Sequence, residues 1–189
     1  MLLIILYLIL SLACHKKVTL TVESLTFYTK YQLFFTKQEK KLFKSLPDRK
    51  SREEFIKEFW EAMDPIPATE ENEFKNEIDE RINYADRFFK EMGKSGHQTD
   101  RGRVYLLLGP PDNIFTRSAI ESSDNTATLI WNYDRWRVAA MFIDKHGFGV
   151  FRLRSYDLRF LRLLTMLKHA NIKYFDTNKK KLNIRLIEP

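Results

Sequence analysis

Between Glu73 and Met92 the apolar residues Phe74, Ile78, Ile82, Ala85, Phe89 and Met92 recur at steps of three or four. That is the spacing of one face of an α-helix. A stripe of this kind must be covered by another element, so it dictates at least a two-layer domain. Thr69 stands where an N-cap is expected, Gly93 where a left-handed C-terminal residue belongs, and Gly96 adds a second flexible point. Upstream, Ser51-Arg52-Glu53-Glu54 has the form of a capping box opening a helix with Phe55, Phe59 and Met63 on one face. Asp64-Pro65 stops that helix, because a residue before proline resists the helical region.

The partner of these helices is expected downstream. Residues 104–108 are apolar on both faces and read as a central strand. Residues 127–133 and 137–144 are rich in β-formers, and a tight turn near Asp134 pairs them. Asp144-Lys145-His146-Gly147 has the composition of a hairpin loop, with residues 148–154 returning. Residues 116–126 form a polar loop, and Ser155 caps a last helix carrying Leu158, Leu161, Leu164 and Leu167. Short turns between sequential strands favour an antiparallel meander. The expected fold is α+β, a four-stranded antiparallel meander packed on amphipathic helices, over residues 46–170. Residues 15–45 read as a lead-in or linker. There Val18, Leu20 and Val22 fit a strand while Leu25, Tyr28, Phe35 and Leu42 fit a helix face, and period alone does not separate the two. Residues 171–189 form a basic tail with an edge-strand pattern at 182–187.

At 189 residues, with a 44 % hydrophobic fraction and only six Gly and six Pro, the chain can bury a core, and fibrous or disordered classes are excluded. A single cysteine excludes an internal disulfide. It ends an apolar run, residues 2–13, that is too short for a comfortable membrane span but matches the core of an export signal. Leu10-Ser11-Leu12-Ala13-Cys14 is similar to a bacterial lipoprotein signal, which implies cleavage before Cys14 and lipid on its thiol. Ser11 departs from the aliphatic residue usual there, and Lys16 and Lys17 follow the run instead of preceding it. The expected location is the bacterial cell envelope, anchored through lipidated Cys14; a secreted or periplasmic protein is the alternative.

The order Asp64-Pro65-x-Pro67-x-Thr69, Asn72-Glu73, Arg81-x-x-Tyr84-Ala85, Gly96-x-x-Thr99-Asp100-Arg101-Gly102-Arg103-Val104-Tyr105 and Gly109-Pro110-Pro111-Asp112 resembles the GWxTD domain family. The similarity continues through Trp131-x-Tyr133, Phe142-x-Asp144 and Gly147-x-Gly149. His97 occupies the tryptophan position of the family's run. The resemblance implies a fold and an envelope location, and no catalytic residue.

Two readings of the polar residues compete. In the structural one, Thr99 and Asp100 build a turn, Asp100 pairs with Arg81, Arg101 or Arg103, and Gly109-Pro110-Pro111-Asp112 ends a strand. The protein is then a non-catalytic envelope module, with Asp100, Arg101, Asp112 and Asn72 as its binding candidates and an envelope protein or glycan as its partner. In the alternative, a hydrolytic enzyme uses the carboxylates of Asp100 and Glu73 with Arg81 to stabilise an anion, and His97 between carboxylates is a competent base. The histidines are scattered and there is no zinc pattern, phosphate loop or serine elbow, so neither metal nor cofactor is expected. The chain's net charge of +7 is uneven: residues 1–100 carry −1 and residues 101–189 carry +8. Arg152, Arg154, Arg159 and Arg162, with Tyr156 and Phe160 between them, have the composition of a nucleic-acid surface. An exported lipoprotein would rarely meet nucleic acid, so phosphate-rich or acidic envelope partners are preferred.

Overall fold

The computed structural model describes residues 20–122, 126–154 and 158–169. The apolar run with Cys14, the basic tail and Tyr156 lie outside the described residues. None of the described helices is long and apolar enough to cross a membrane.

The lead-in segment is helical. Thr21 caps α1, Val22–Tyr31, by accepting from the Ser24 N–H at 3.3 Å. After a 3₁₀ turn, Gln32–Phe34, comes α2, Lys37–Ser45. A complete capping box starts it: Glu39 N–H donates to Thr36 Oγ1 at 3.1 Å, and Thr36 N–H donates to the Glu39 carboxylate at 2.7 Å. Tyr28, Tyr31, Phe34, Phe35 and Phe43 from this segment are all buried in the core.

The next two helices sit where the periodicity puts them, but their caps differ. Asp48 opens α3, Arg49–Met63, accepting from Ser51 N–H at 2.8 Å, so the Ser51–Glu54 pattern lies inside the helix. Phe59 and Met63 are buried and Phe55 packs against the core, the face the spacing predicts. Asn72 opens α4, Glu73–Phe88, accepting from Lys75 N–H at 2.8 Å. Thr69 instead supports Glu73, its hydroxyl 2.7 Å from that carboxylate. Phe74, Ile78, Ile82 and Ala85 are buried along α4, and Phe89 at its end. Met92 lies past the helix, 83 % exposed, in a turn closed by Glu91 and Lys94.

The expected strand at residues 104–108 is a helix. α5, Asp100–Leu108, is capped by Thr99 and buries Val104, Tyr105, Leu106, Leu107 and Leu108 in succession. It packs on α4, and Tyr105 meets Trp131 of the sheet. Enclosure on several sides removes the polar face that would have marked it as helical.

The sheet is the expected antiparallel meander, order β1-β2-β3-β4, with a different first strand. β1 is Asn113–Arg117, β2 Ala127–Tyr133, β3 Val138–Asp144 and β4 the two residues Arg152–Leu153. A 3₁₀ turn at Asp134–Trp136 with Arg137 in the left-handed region joins β2 to β3. Cross-strand pairs Trp131↔Ala140 and Phe142↔Leu153 set one face. That face meets the helices through Phe89, 5.2 Å from Trp131 between ring centroids. α6, Leu158–His169, packs against β3 and buries Phe160. The architecture is therefore α+β, helices against an antiparallel sheet.

Candidate functional site

The Gly96–Asp100 run forms a corner between α4, α5 and the sheet. Gly96–Gln98 is a 3₁₀ turn lying directly on α4. A Cβ at Gly96 would stand 1.7 Å from the Ala85 carbonyl oxygen, and one at Gly102 would stand 1.9 Å from the Gly96 carbonyl oxygen. Only glycine lets α4, the turn and α5 stack backbone on backbone. Thr99, 1 % exposed, bridges the last two layers. Its hydroxyl donates to the Gly96 carbonyl at 2.7 Å and accepts from Gly102 N–H at 3.1 Å.

Asp100 fastens this stack to the sheet, its carboxylate accepting from Leu153 N–H of β4 at 3.0 Å. This is a different partner from the arginines its sequence neighbourhood suggests. Arg101 turns instead to Glu91, 3.6 Å away, and lies over the rings of Phe151 at 4.6 Å and Phe89 at 5.5 Å. Burial pushes the Arg101 guanidinium below its usual range, and the Glu91 charge works against that shift. The side chain of Glu91 is only 1 % exposed. It accepts from Phe151 N–H at 3.1 Å and from Arg152 Nη1 at 2.8 Å. Two carboxylates of the helical layer thus hold the backbone of the last strand.

Arg81, 3 % exposed, works at the opposite end of α5. Its Nε donates to Glu77 at 2.6 Å and its Nη1 to the Leu106 carbonyl at 3.0 Å. A cation there complements the negative end of the helix dipole. Gly109 follows with φ +77°, its Cα side facing the guanidinium. Tyr133 donates to the Gly109 carbonyl at 3.3 Å. Asp112 accepts from Asp134 N–H at 2.7 Å and so braces the β2–β3 turn against the start of β1.

The expected carboxylate–arginine set is therefore dispersed. Glu73 begins α4, while Asp100 sits by the other end of that helix; Glu73 to Ala85 is three turns and more, roughly 18 Å. Asn72 is a cap, with Nδ2 donating to the Trp60 carbonyl at 2.7 Å. Of the basic group, Arg152 pairs with Glu91, and Phe160 is fully buried and cannot stack on a base. Among the described residues no three His, Cys, Asp or Glu side chains are grouped to hold a metal ion.

His97 takes a position the sequence left open. Its backbone N–H donates to Asp86 Oδ1 at 2.9 Å, and its Nδ1 lies 2.8 Å from the same carboxylate oxygen. A carboxylate only accepts, so Nδ1 carries the hydrogen. Nε2, on the other side of the ring, is buried with no protein partner among the described residues. His97 forms part of the wall of a cleft of about 400 Å³ between the α1–α2 segment and the corner, with Lys30, Lys40, Lys94, Gln98 and Arg103 around it. Sequence reasoning missed this grouping because its members come from α1, α2, the two turns between α4 and α5, and α5 itself, and share no period.

Fold and corner together define an α+β domain in which a Gly-x-x-Thr-Asp run clamps two helices to the end of an antiparallel sheet. The family model of the GWxTD domain matches residues 20–161, and the chain belongs to that family. No curated protein matches it, and no solved structure does. The match begins at the first residues of the helical lead.

Proposed function

We propose that this chain is a non-catalytic module of the bacterial cell envelope, tethered by lipid on Cys14, whose rigid α+β domain binds a protein or glycan partner. One observation carries the non-catalytic reading: the Asp100 carboxylate is engaged by a backbone N–H of β4. A general base needs a lone pair directed at a substrate proton. The other candidate carboxylate, Glu73, belongs to the far end of α4 and is supported by Thr69. The envelope reading is supported by the apolar run ending at Ala13-Cys14. Several acyl chains on one cysteine would give the firm attachment that a single chain does not.

Asp100→Asn tests the first part. Loss of a charge-assisted hydrogen bond costs about 1–2 kcal/mol, equivalent to a melting temperature lower by about 3–6 °C in a chain of this size. Hydrolysis of ester, glycoside or phosphoester substrates by the wild type, abolished in Asp100→Asn at unchanged melting temperature, would replace this reading with an enzymatic one. Cys14→Ser tests the tether: it should abolish lipid labelling and move the protein out of the membrane fraction. Unchanged partitioning would remove the anchor from the proposal.

A further inference from the structure

We infer that the cleft beside His97 is a binding site for a phosphate group carried by a small organic molecule or a lipid headgroup. The cleft holds about 400 Å³, enough for a ligand of that size. Lys30 and Lys40 approach from the α1–α2 segment, Lys94 from the turn after α4, and Arg103 from α5. Among the described residues no aspartate or glutamate lines the space. Asp79 stands 3.7 Å from Lys30 at the edge. Four cationic side chains around one concavity repel each other, and a concave, low-dielectric wall focuses their field. A dianion fits that field better than a carboxylate with a single charge.

The neutral lining fits the same ligand. Gln98 and Gln32 offer amide donors and Thr29 a hydroxyl, while Leu33 and Leu106 add an apolar patch for a carbon skeleton. His97 supplies the independent indication. Asp86 fixes its ring through Nδ1, and Nε2 is left buried with nothing to bond. A buried polar atom without a partner costs free energy; with the hydrogen on Nδ1, Nε2 accepts, and a hydroxyl on the carbon skeleton that carries the phosphate would remove that cost by donating to it. The inference does not depend on where the protein resides, so it stands or falls separately from the tether.

The experiment titrates the full-length protein with glycerol 3-phosphate and with inorganic pyrophosphate by calorimetry at fixed salt. It is paired with co-sedimentation on phosphatidylcholine vesicles with and without phosphatidylglycerol. The variant Lys94→Gln/Arg103→Gln changes two exposed side chains, and circular dichroism melting checks that it folds. Lys57→Gln, on the exposed face of α3, is the control. Saturable binding of a soluble phosphate, weakened at least tenfold in the double variant and unchanged in the control, supports a free organic phosphate. Binding only to phosphatidylglycerol vesicles, with the same dependence on the variants, supports a lipid headgroup. Binding of neither probe, an equal loss in Lys57→Gln, or binding of polygalacturonate without any phosphate overturns the inference. A folded double variant that binds as the wild type does also overturns it.

Discussion

The helical lead and the Gly96–Gly109 corner are both buried, yet they are held by opposite means. In the lead, Phe27, Tyr28, Phe35 and Phe43 meet one another and Phe55, Phe59 and Trp60 of α3 ring to ring. Phe43 sits 5.7 Å from Tyr28 and 5.2 Å from Phe55 between centroids. Such contacts are numerous and individually adaptable, and each buried ring contributes about 1.5–3 kcal/mol by leaving water. In the corner, the contacts are backbone on backbone, with Thr99, Asp100 and Arg81 each bonded to defined backbone groups. The two regions share one device: Arg52, 2 % exposed, donates to the Leu46 carbonyl at the end of α2 as Arg81 does at the end of α5. The difference shows where a chain of this family tolerates change. Volume matters in the lead, and single atoms matter in the corner.

Gly96→Ala should give the largest effect. The added methyl group would overlap the Ala85 carbonyl, and neither backbone can yield without separating α4 from α5. A loss of more than about 4 kcal/mol is expected, a large part of the stability of an ordinary domain. Urea unfolding measures it, and a variant within about 1 kcal/mol of wild type would show that the two backbones are not in contact. Next comes Phe43, which is fully buried. Phe43→Ala should cost about 3–4 kcal/mol through its cavity, whereas Phe43→Leu should cost about 1–1.5 kcal/mol because the cluster can repack. Equal losses for the two would make the lead as exacting as the corner and dissolve the contrast.

The smallest effects should separate the regions by pH. Tyr31 in the lead has its phenol pushed well above its usual value by burial and by its hydrogen bond to Asp79. Burial does most of the same for Tyr133 beside the corner, with the Arg81 charge opposing it and Tyr105 and Asp112 adding to it. Both folded values are raised, so this stability is fully present below about pH 10, where the unfolded phenol titrates, and is lost as pH rises above it. The slope is at most about 1.4 kcal/mol per pH unit for each tyrosine, and less where solvent screens the group. Tyr31→Phe should cost about 1 kcal/mol at pH 7 for the lost hydrogen bond, and each Tyr→Phe variant should remove part of the alkaline slope. Denaturant midpoints from pH 8 to 11 test this. A slope untouched by either substitution would assign the alkaline loss elsewhere.

How much of this was legible in the sequence depended on how far a signal had to reach. α3, α4 and the β2–β3 pair are governed by local periodicity and turn chemistry, and they lie where the spacing places them, whereas the strand expected over 148–154 is only Arg152–Leu153. Val104–Leu108 misled because α5 is enclosed, and a helix without a solvated face has the same hydrophobic profile as a buried strand. The cap that would have corrected it was present: Thr99 followed by an acidic residue in the first turn. The Thr36–Glu39 box likewise marked α2 within a segment whose apolar pattern was ambiguous. Site contacts were beyond reach. Asp100 meets Leu153 and Glu91 meets Phe151 and Arg152, each across more than fifty residues, and such pairings leave no mark on nearby residues.

The brevity of β4 has a consequence for how the protein comes apart. Two residues of ladder are too few to hold a strand, and the carboxylates of Asp100 and Glu91 grip its backbone from the side. The chain's final fold-back behaves as a latch worked from the helical layer. Neutralising both acids should free β4 and α6 to peel away and become open to proteases, while the β2–β3 hairpin stays zipped.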